Sequence, residues 1–292
     1  MSLRGAFFAP KQSPRRSRRL LQRENTANIR LKKGLGQNFL VDAYALERVV
    51  EVADISLQDT VLEIGAGVGH LTRYLAAASK QVVAVELDKR LIPPLREVLT
   101  PHGNAYVVQG DILNLNPQEL VPEGEYIVVA NIPYYITSAI IRHLLEADAK
   151  PSRIILTIQH EVAQRICAAA GKMSVLALSV QVYGEPYITS RIPAHSFYPA
   201  PKVDSASIRI DLYPSPIVPQ EKLDTFFKLV KAGFQHKRKT LCNSISAGLG
   251  WKKEEAEALL TAAGIDPRRR AQTLSLGEWI EVTMQYDKMN EV

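Results

Sequence analysis

Five short apolar runs, at residues 60–64, 81–86, 105–109, 126–131 and 153–159, alternate with stretches of helical length near 70–78, 89–99, 138–146 and 161–169. Strand and helix in strict alternation define an α/β chain with a doubly wound, mainly parallel sheet, because each crossover must return the chain to the same sheet edge. Two later strands, near 182–192 and 206–211, flank a loop from Phe197 to Ser205. Tyr213-Pro214-Ser215-Pro216 then punctuates the chain, and helical patterns follow at 222–232, 240–247, 252–263 and 276–289. The organisation read from this is a basic tail over 1–29, an α/β domain over 30–213 and a small helical domain over 214–292. An amphipathic helix near 42–53 precedes the first strand, behind the basic stretch Lys33-Gly34-Leu35-Gly36-Gln37-Asn38-Phe39-Leu40.

The strand ends carry the chemistry. Asn131-Ile132-Pro133-Tyr134 follows the apolar run Tyr126-Ile127-Val128-Val129-Ala130. Pro133 has no N–H and a fixed φ, so the turn is stiff and the Ile132 carbonyl is free to face a site. The Asn131 amide oxygen and that carbonyl can together accept both hydrogens of an exocyclic amine, while the Tyr134 ring stacks on a flat base. Alone, the tetrapeptide reads more readily as an Asn-x-Pro turn closing a buried strand.

It has company. Thr60 to Ile64 runs into Gly65-Ala66-Gly67-Val68-Gly69, and glycine at alternate positions lets backbone pass close to a ligand. Such a loop is weak evidence by itself, since a dinucleotide site uses nearly the same spacing. The second strand ends in Glu86, where a carboxylate can accept from both ribose hydroxyls, and the third is followed by Gly110-Asp111, where one can accept from an adenine amine. Each is also an ordinary polar residue for a strand end. Glu63 before the first glycine, and the lack of the Gly-x-Gly-x-x-Gly register that leads a pyrophosphate onto a helix, favour S-adenosylmethionine over a nicotinamide dinucleotide.

Gly36 to Leu40, Glu63 to Gly69, Glu86, Gly110-Asp111, Asn131 to Tyr134 and Phe197-Tyr198-Pro199-Ala200-Pro201-Lys202-Val203-Asp204-Ser205 occur in the order of the ribosomal RNA adenine N6-dimethyltransferases, which the chain resembles from about Leu31 onward. Two branches compete, one acting on small-subunit (16S) RNA and an erythromycin-resistance type acting on large-subunit (23S) RNA. Residues 234–241, Gly264-Ile265-Asp266-Pro267, Arg270-Ala271 and Leu274-Ser275 resemble the small-subunit branch. The resemblance implies a seven-stranded, Rossmann-like sheet. It also implies contacts to S-adenosylmethionine from Asn38, Leu40, Gly65, Glu86, Asp111 and Asn131, to which Gln37, Glu63 and Gly67 are added as neighbours. Tyr134 and Phe197 are the expected clamp on the target base. The implied reaction is dimethylation of two adjacent adenosines in the 3′-terminal hairpin loop of the small-subunit RNA, within an assembling pre-30S particle. One segment departs from the family pattern: 168–178, with Gly171-Lys172-Met173-Ser174-Val175-Leu176, lacks the expected Lys-x-Tyr-Gly-x-Leu-Ser.

Charge refines this picture. The chain has 292 residues, 46% hydrophobic and 23% charged, with a net charge of +6. Residues 1–33 carry ten Lys or Arg against Glu24 alone, a net +9, which leaves the remainder at −3. RNA contact in the folded part must then come from patches: Lys231, His236-Lys237-Arg238-Lys239 and Arg268-Arg269-Arg270, either run being equally readable as a solvated helix face. The tail through about Asn28 reads as disordered, a source of salt-sensitive phosphate affinity or an organellar transit peptide. No run approaches membrane-spanning length. Cys167 and Cys242 are widely separated and lack metal-ligand spacing, so reduced thiols, no disulfide and no metal are expected. The expectation is a cytoplasmic, monomeric enzyme.

Overall fold

The computed structural model describes residues 36–122 and 124–290. The expected tail and Lys33 to Leu35 lie outside the described residues. The chain begins with a two-residue strand, β1 (Phe39–Leu40), and helix α1 (Ala43–Ala53), whose first turn is closed by the Asp42 carboxylate accepting from Ala45 N at 3.0 Å. There follow β2 (Thr60–Ile64), α2 (Thr72–Ala78), β3 (Gln81–Glu86), α3 (Ile92–Leu99), β4 (Ala105–Gln109), a single helical turn α4 (Pro117–Leu120), β5 (Tyr126–Asn131), α5 (Thr137–Glu146), β6 (Arg153–Gln159) and α6 (His160–Ile166). Then come α7 (Val175–Gln181), β7 (Gly184–Ile192), β8 (Phe197–Tyr198) and β9 (Ser205–Leu212). Four further helices, α8 (Leu223–Phe234), α9 (Leu241–Leu249), α10 (Lys253–Ala262) and α11 (Leu276–Asn290), make the helical region.

The main sheet has seven strands in the order β4-β3-β2-β5-β6-β9-β7, and the first five are parallel. Only β9 is reversed, antiparallel to both β6 and β7. Because strand side chains alternate between faces, the central strands feed two cores. Val61, Val82, Ala84, Ile127, Val129 and Ile155 pack on α1, α2 and α3 through Leu46, Val49, Leu75 and Leu95. Leu62, Val83, Val128 and Leu156 face the other way, into a cluster that continues without a break through α5 and α7 to Phe226, Leu241 and Trp279 of the helical region.

The chain order reverses at β2, which lies between β3 and β5, so the crevice at the carboxyl ends of these strands is where an open α/β sheet receives a ligand. Register then brings the motifs together. Ile64 pairs with both Val85 and Ala130, which sets Gly65 beside Asn131, and Glu86 pairs with Gln109, which sets it beside Gly110-Asp111.

Helix α7 was not among the expected elements. It lies in the divergent segment, where Ser174 caps it by accepting from Ala177 N at 3.1 Å. Just before it, Gly171 N and Met173 N donate to the Gln272 carbonyl of the helical region at 2.9 and 3.1 Å. The segment therefore ties the sheet to the C-terminal helices.

Candidate functional site

A cavity of about 800 Å³ opens at this crevice, lined by Gly36 to Phe39, Gly65, Gly67, Glu86, Leu87, Asp111 and Asn131 to Ile136 among others. Of the expected cofactor residues it gathers Gln37, Asn38, Gly65, Gly67, Glu86, Asp111 and Asn131, and of the expected catalytic ones Asn131, Ile132, Pro133 and Tyr134.

Glu86 is 7% exposed, and both carboxylate oxygens accept backbone N–H groups: Gly67 N at 2.7 Å and Asp88 N at 2.8 Å. Burial raises its pKa, and these backbone donors pull the other way. The carboxylate is thus held rigidly at the wall, with lone pairs left over for a diol. Asp111 caps the turn after β4 by accepting from Leu113 N at 3.1 Å through Oδ1, leaving its other oxygen uncommitted by that bond. Apolar Ile64, Val85, Leu87 and Ile112 supply flat surface for an aromatic ring. A cavity with two acceptor carboxylates and apolar walls fits an adenosine such as that of S-adenosylmethionine.

The glycine loop is required by close approach. Gly67 has φ +61, and a Cβ there would sit 2.7 Å from the Phe39 ring. Gly65 has φ +80, with the Asn131 carbonyl 3.3 Å from where its Cβ would be.

At the other wall, Asn131 Nδ2 donates to the Asn38 carbonyl at 3.1 Å. That commits the amide nitrogen and leaves Oδ1 as the group that can accept from a ligand. The Tyr134 hydroxyl is 2.7 Å from Ser205 Oγ, which fixes the ring; burial raises the phenol's pKa, with Ser205 partly offsetting.

Three expected site residues lie elsewhere. Phe197 is 1% exposed and sits in the core beneath α1, because its strand pairs it with Leu40. It does not line the cavity, whose aromatic lining residues are Phe39, Tyr134 and Tyr135. Glu63 and Leu40 line a smaller, adjoining cavity of about 280 Å³ with His70 and Leu71, which shares Phe39, Gly65 and Asn131 with the main one. Strand alternation explains this: Ile64 faces the main cavity, so Glu63 faces the opposite side. Desolvation pushes the Glu63 carboxyl up to about 8, with Thr72 opposing and the charge of Glu86 adding to it, and burial brings His70 down to about 4. Burial therefore favours the neutral form of both groups. Asp88 had no signal in the sequence beyond its place two residues after Glu86, and Ser205, quoted as the end of the Phe197 motif, was given no role of its own.

The basic runs meet at one edge of the helical region, where Leu241 N donates to the Arg269 carbonyl at 2.6 Å. His236, Lys237, Arg238 and Lys239 are exposed there. Arg268 is exposed but forks onto its neighbour Asp266. Arg269 differs: it is half-buried and binds Glu278 through two nitrogens and the Thr273 carbonyl at 2.7 Å. Its guanidinium holds the helix α11 start in place and is spoken for, which corrects its expected place in an RNA patch. Among the described residues there is no metal-holding cluster, and no helix is long and apolar enough to cross a membrane.

Doubly wound sheet, reversal-point cavity, ribose-type carboxylate and Asn-Ile-Pro-Tyr turn together define an RNA or nucleotide methyltransferase site, and comparison with known proteins narrows the class. The family described as ribosomal RNA adenine dimethylase matches residues 28–288, and the chain belongs to it. A protein named ribosomal RNA small subunit methyltransferase A from Dehalococcoides mccartyi is 43% identical over 259 residues, covering 88% of this chain and 89% of its own length. The protein of the same name from Bacillus cereus is 41% identical over 258 residues, 85% of this chain and 88% of its own. Among solved structures, the 23S rRNA methyltransferase ErmE superposes with a TM-score of 0.71 at 30% identity, over 86% of this chain and 100% of its own. A dimethyladenosine transferase from Plasmodium falciparum superposes at 0.74 and 24% identity, over 85% and 97%, a likeness of fold.

Proposed function

We propose that this chain uses S-adenosylmethionine to dimethylate N6 of two adjacent adenosines near the 3′ end of small-subunit ribosomal RNA, within an assembling small subunit. The donor supplies an electrophilic methyl group; the residues of this chain position and activate the amine. An adenine amine is a poor nucleophile because its lone pair is delocalised into the ring. Asn131 Oδ1 and the Ile132 carbonyl, accepting its two hydrogens, draw the nitrogen toward tetrahedral geometry and hold it for in-line attack. Tyr134, its hydroxyl fixed by Ser205, stacks on the extruded base. No strong base is needed, since the nitrogen becomes acidic as it gains positive charge and its proton leaves to water.

The observation that carries this reading is the bond from Asn131 Nδ2 to the Asn38 carbonyl in a residue that lines the cavity, which leaves Oδ1 available as an acceptor. The choice of the small subunit is supported by the names and extent of the relatives at 41–43% identity. The second reading, a large-subunit enzyme, is favoured by the ErmE likeness alone, at lower identity. The test is incubation with labelled S-adenosylmethionine and unmodified small subunits, with large-subunit RNA in parallel, followed by mass spectrometry of nucleosides. Dimethyladenosine confined to the small subunit is the expected result; label confined to large-subunit RNA would reverse the assignment.

A further inference from the structure

The segment Gly36 to Leu40 is tied to the ends of two strands that flank β2. On one side the Asn131 amide donates to the Asn38 carbonyl at 3.1 Å, at the end of β5. On the other, Gln37 Nε2 donates to Asp88 Oδ2 at 3.0 Å, just past the end of β3. Since β2 lies between β3 and β5, a segment bonded to both must cross over the end of β2, above the glycine loop. The Phe39 ring fills the space that glycine leaves at position 67. The segment is a strap over the cavity, and Gln37 to Phe39 line it.

Asp88 is built for this fastening. It is 5% exposed, yet it lines no cavity wall in the way Glu86 and Leu87 do. Its carboxylate is clamped by Arg90, whose Nε donates to Oδ1 at 2.9 Å, and this guanidinium first, then Gln37, hold the carboxyl well below the usual range. Its backbone N–H meanwhile donates to Glu86 Oε1, whose partner oxygen accepts from Gly67. One residue thus joins the strap, the ribose-type carboxylate and the glycine loop. Arg90 fixes the carboxylate in place, so Gln37 meets a preoriented, charged acceptor, the stronger kind of hydrogen bond.

We infer that Gln37 and Asp88 form a latch that holds the strap across the cavity, with Asp88 a positioning residue that acts on the bound cofactor only through Gln37 and the Glu86 backbone contact. The latch sets how fast a ligand leaves. Its role as a latch on S-adenosylmethionine rests on the function proposed above, whereas its closure of the strap does not.

Two measurements separate these. In the cofactor-free protein, hydrogen exchange of a peptide covering residues 36–40 is compared for the wild type, Gln37→Ala, Asp88→Ala and the double variant. Both single variants should exchange about tenfold faster there, the scale expected for losing one hydrogen bond to a charged group. The double variant should be no faster than either, with β2, β3 and α3 unchanged in Gln37→Ala. Dissociation of S-adenosylmethionine, by stopped-flow chase with S-adenosylhomocysteine, should accelerate by a similar factor in both. Unchanged exchange at 36–40 in Gln37→Ala, or multiplied effects in the double variant, would overturn the latch. If Asp88→Ala fails to fold, Gln37→Ala decides alone, since that side chain is only partly buried and outside both hydrophobic cores. A wild type that shows latched exchange but binds no S-adenosylmethionine would reject the proposed function and leave the strap in place.

Discussion

At the scale of single residues, Asn131 and Glu86 occupy opposite walls and carry different work. Glu86→Ala removes the acceptor that orders Gly67 N and Asp88 N, so cofactor binding should fall by an order of magnitude or more, given two charge-assisted bonds lost. Asn131→Ala should keep cofactor affinity better while abolishing transfer, as read by calorimetry and by methyl incorporation; equal loss of binding in both variants would refute the division. Tyr134→Phe should retain substantial activity, because the ring and not the hydroxyl is the working group, although losing Ser205 as a partner leaves the ring less firmly held. A folded but inactive Phe variant would sink the stacking role. Glu63 makes a prediction about pH. Its carboxyl titrates at about 8 when folded and 4.5 otherwise, so between these values the folded chain holds a proton that the unfolded chain has released. Stability from this group is therefore complete below pH 4.5 and is lost as pH rises toward 8, at no more than about 1.4 kcal/mol per pH unit. Glu63→Gln, which can donate to the neighbouring Thr72 hydroxyl, should flatten that decline in denaturant titrations across pH 5 to 8; an unchanged slope would mean the carboxyl is not the source.

At the scale of elements, the alternation of runs was enough to place β2 through β6 at the bounds observed, because β2, β3, β5 and β6 are buried on both faces and leave a dense apolar signal, and the edge strand β4 keeps a short β-branched and aromatic run. The reversal of β9 and the pairing of β1 with β8 left no such trace. A two-residue strand has no periodicity, and its partner lies more than 150 residues away. That pairing is why Phe197, aromatic and beside the Tyr-Pro-Ala-Pro loop, read as a base clamp and proved to be core. Helix α7 is a different case: its seven residues are too short for a clear helical period, although the Ser174 cap and the apolar Val175, Leu176, Ala177, Leu178 and Val180 are its local signature. Glu63 could have been placed correctly, since alternation from Ile64 already puts it on the other face. Helix crossings give a test at this scale. A Cβ on Gly248 would lie 2.6 Å from the Ala232 backbone, where α9 meets α8, and no flexible side chain is available to yield. Gly248→Ala should therefore cost about 1 to 3 kcal/mol, the usual range for forced overpacking, despite its better helix propensity. Thermal unfolding with an undiminished melting temperature would show that the two helices slide apart freely.

At the scale of the whole molecule, the continuous cluster from Leu62 to Trp279 and the Gln272 carbonyl bridged to Gly171 and Met173 hold the basic edge of the helical region in a fixed relation to the sheet. A cavity lined by acidic carboxylates repels phosphate, so any attraction for RNA that the folded part supplies must come from elsewhere on the same rigid body, beside whatever the basic N-terminal run contributes. The exposed Lys237, Arg238 and Lys239 are free to supply it, whereas Arg269, equally basic in sequence, is engaged by Glu278. The contrast yields paired outcomes. Neutralising Lys237, Arg238 and Lys239 together should weaken RNA binding across sequences and flatten the dependence of log affinity on log salt by up to about two to three units, since each phosphate contact contributes slightly under one. Melting temperature should hold, because none of the three is buried. Arg269→Ala should do the reverse: it strips Glu278 and the Thr273 carbonyl of their partner and lets the start of α11 fray, lowering the melting temperature while leaving the salt slope as it was. Filter binding at several salt concentrations, run beside thermal unfolding, reads both. If the triple variant kept the full slope, the phosphate contacts would have to lie on the sheet side of the cavity or in the basic N-terminal run, and the helical region would serve as a brace for the site instead of as its RNA grip.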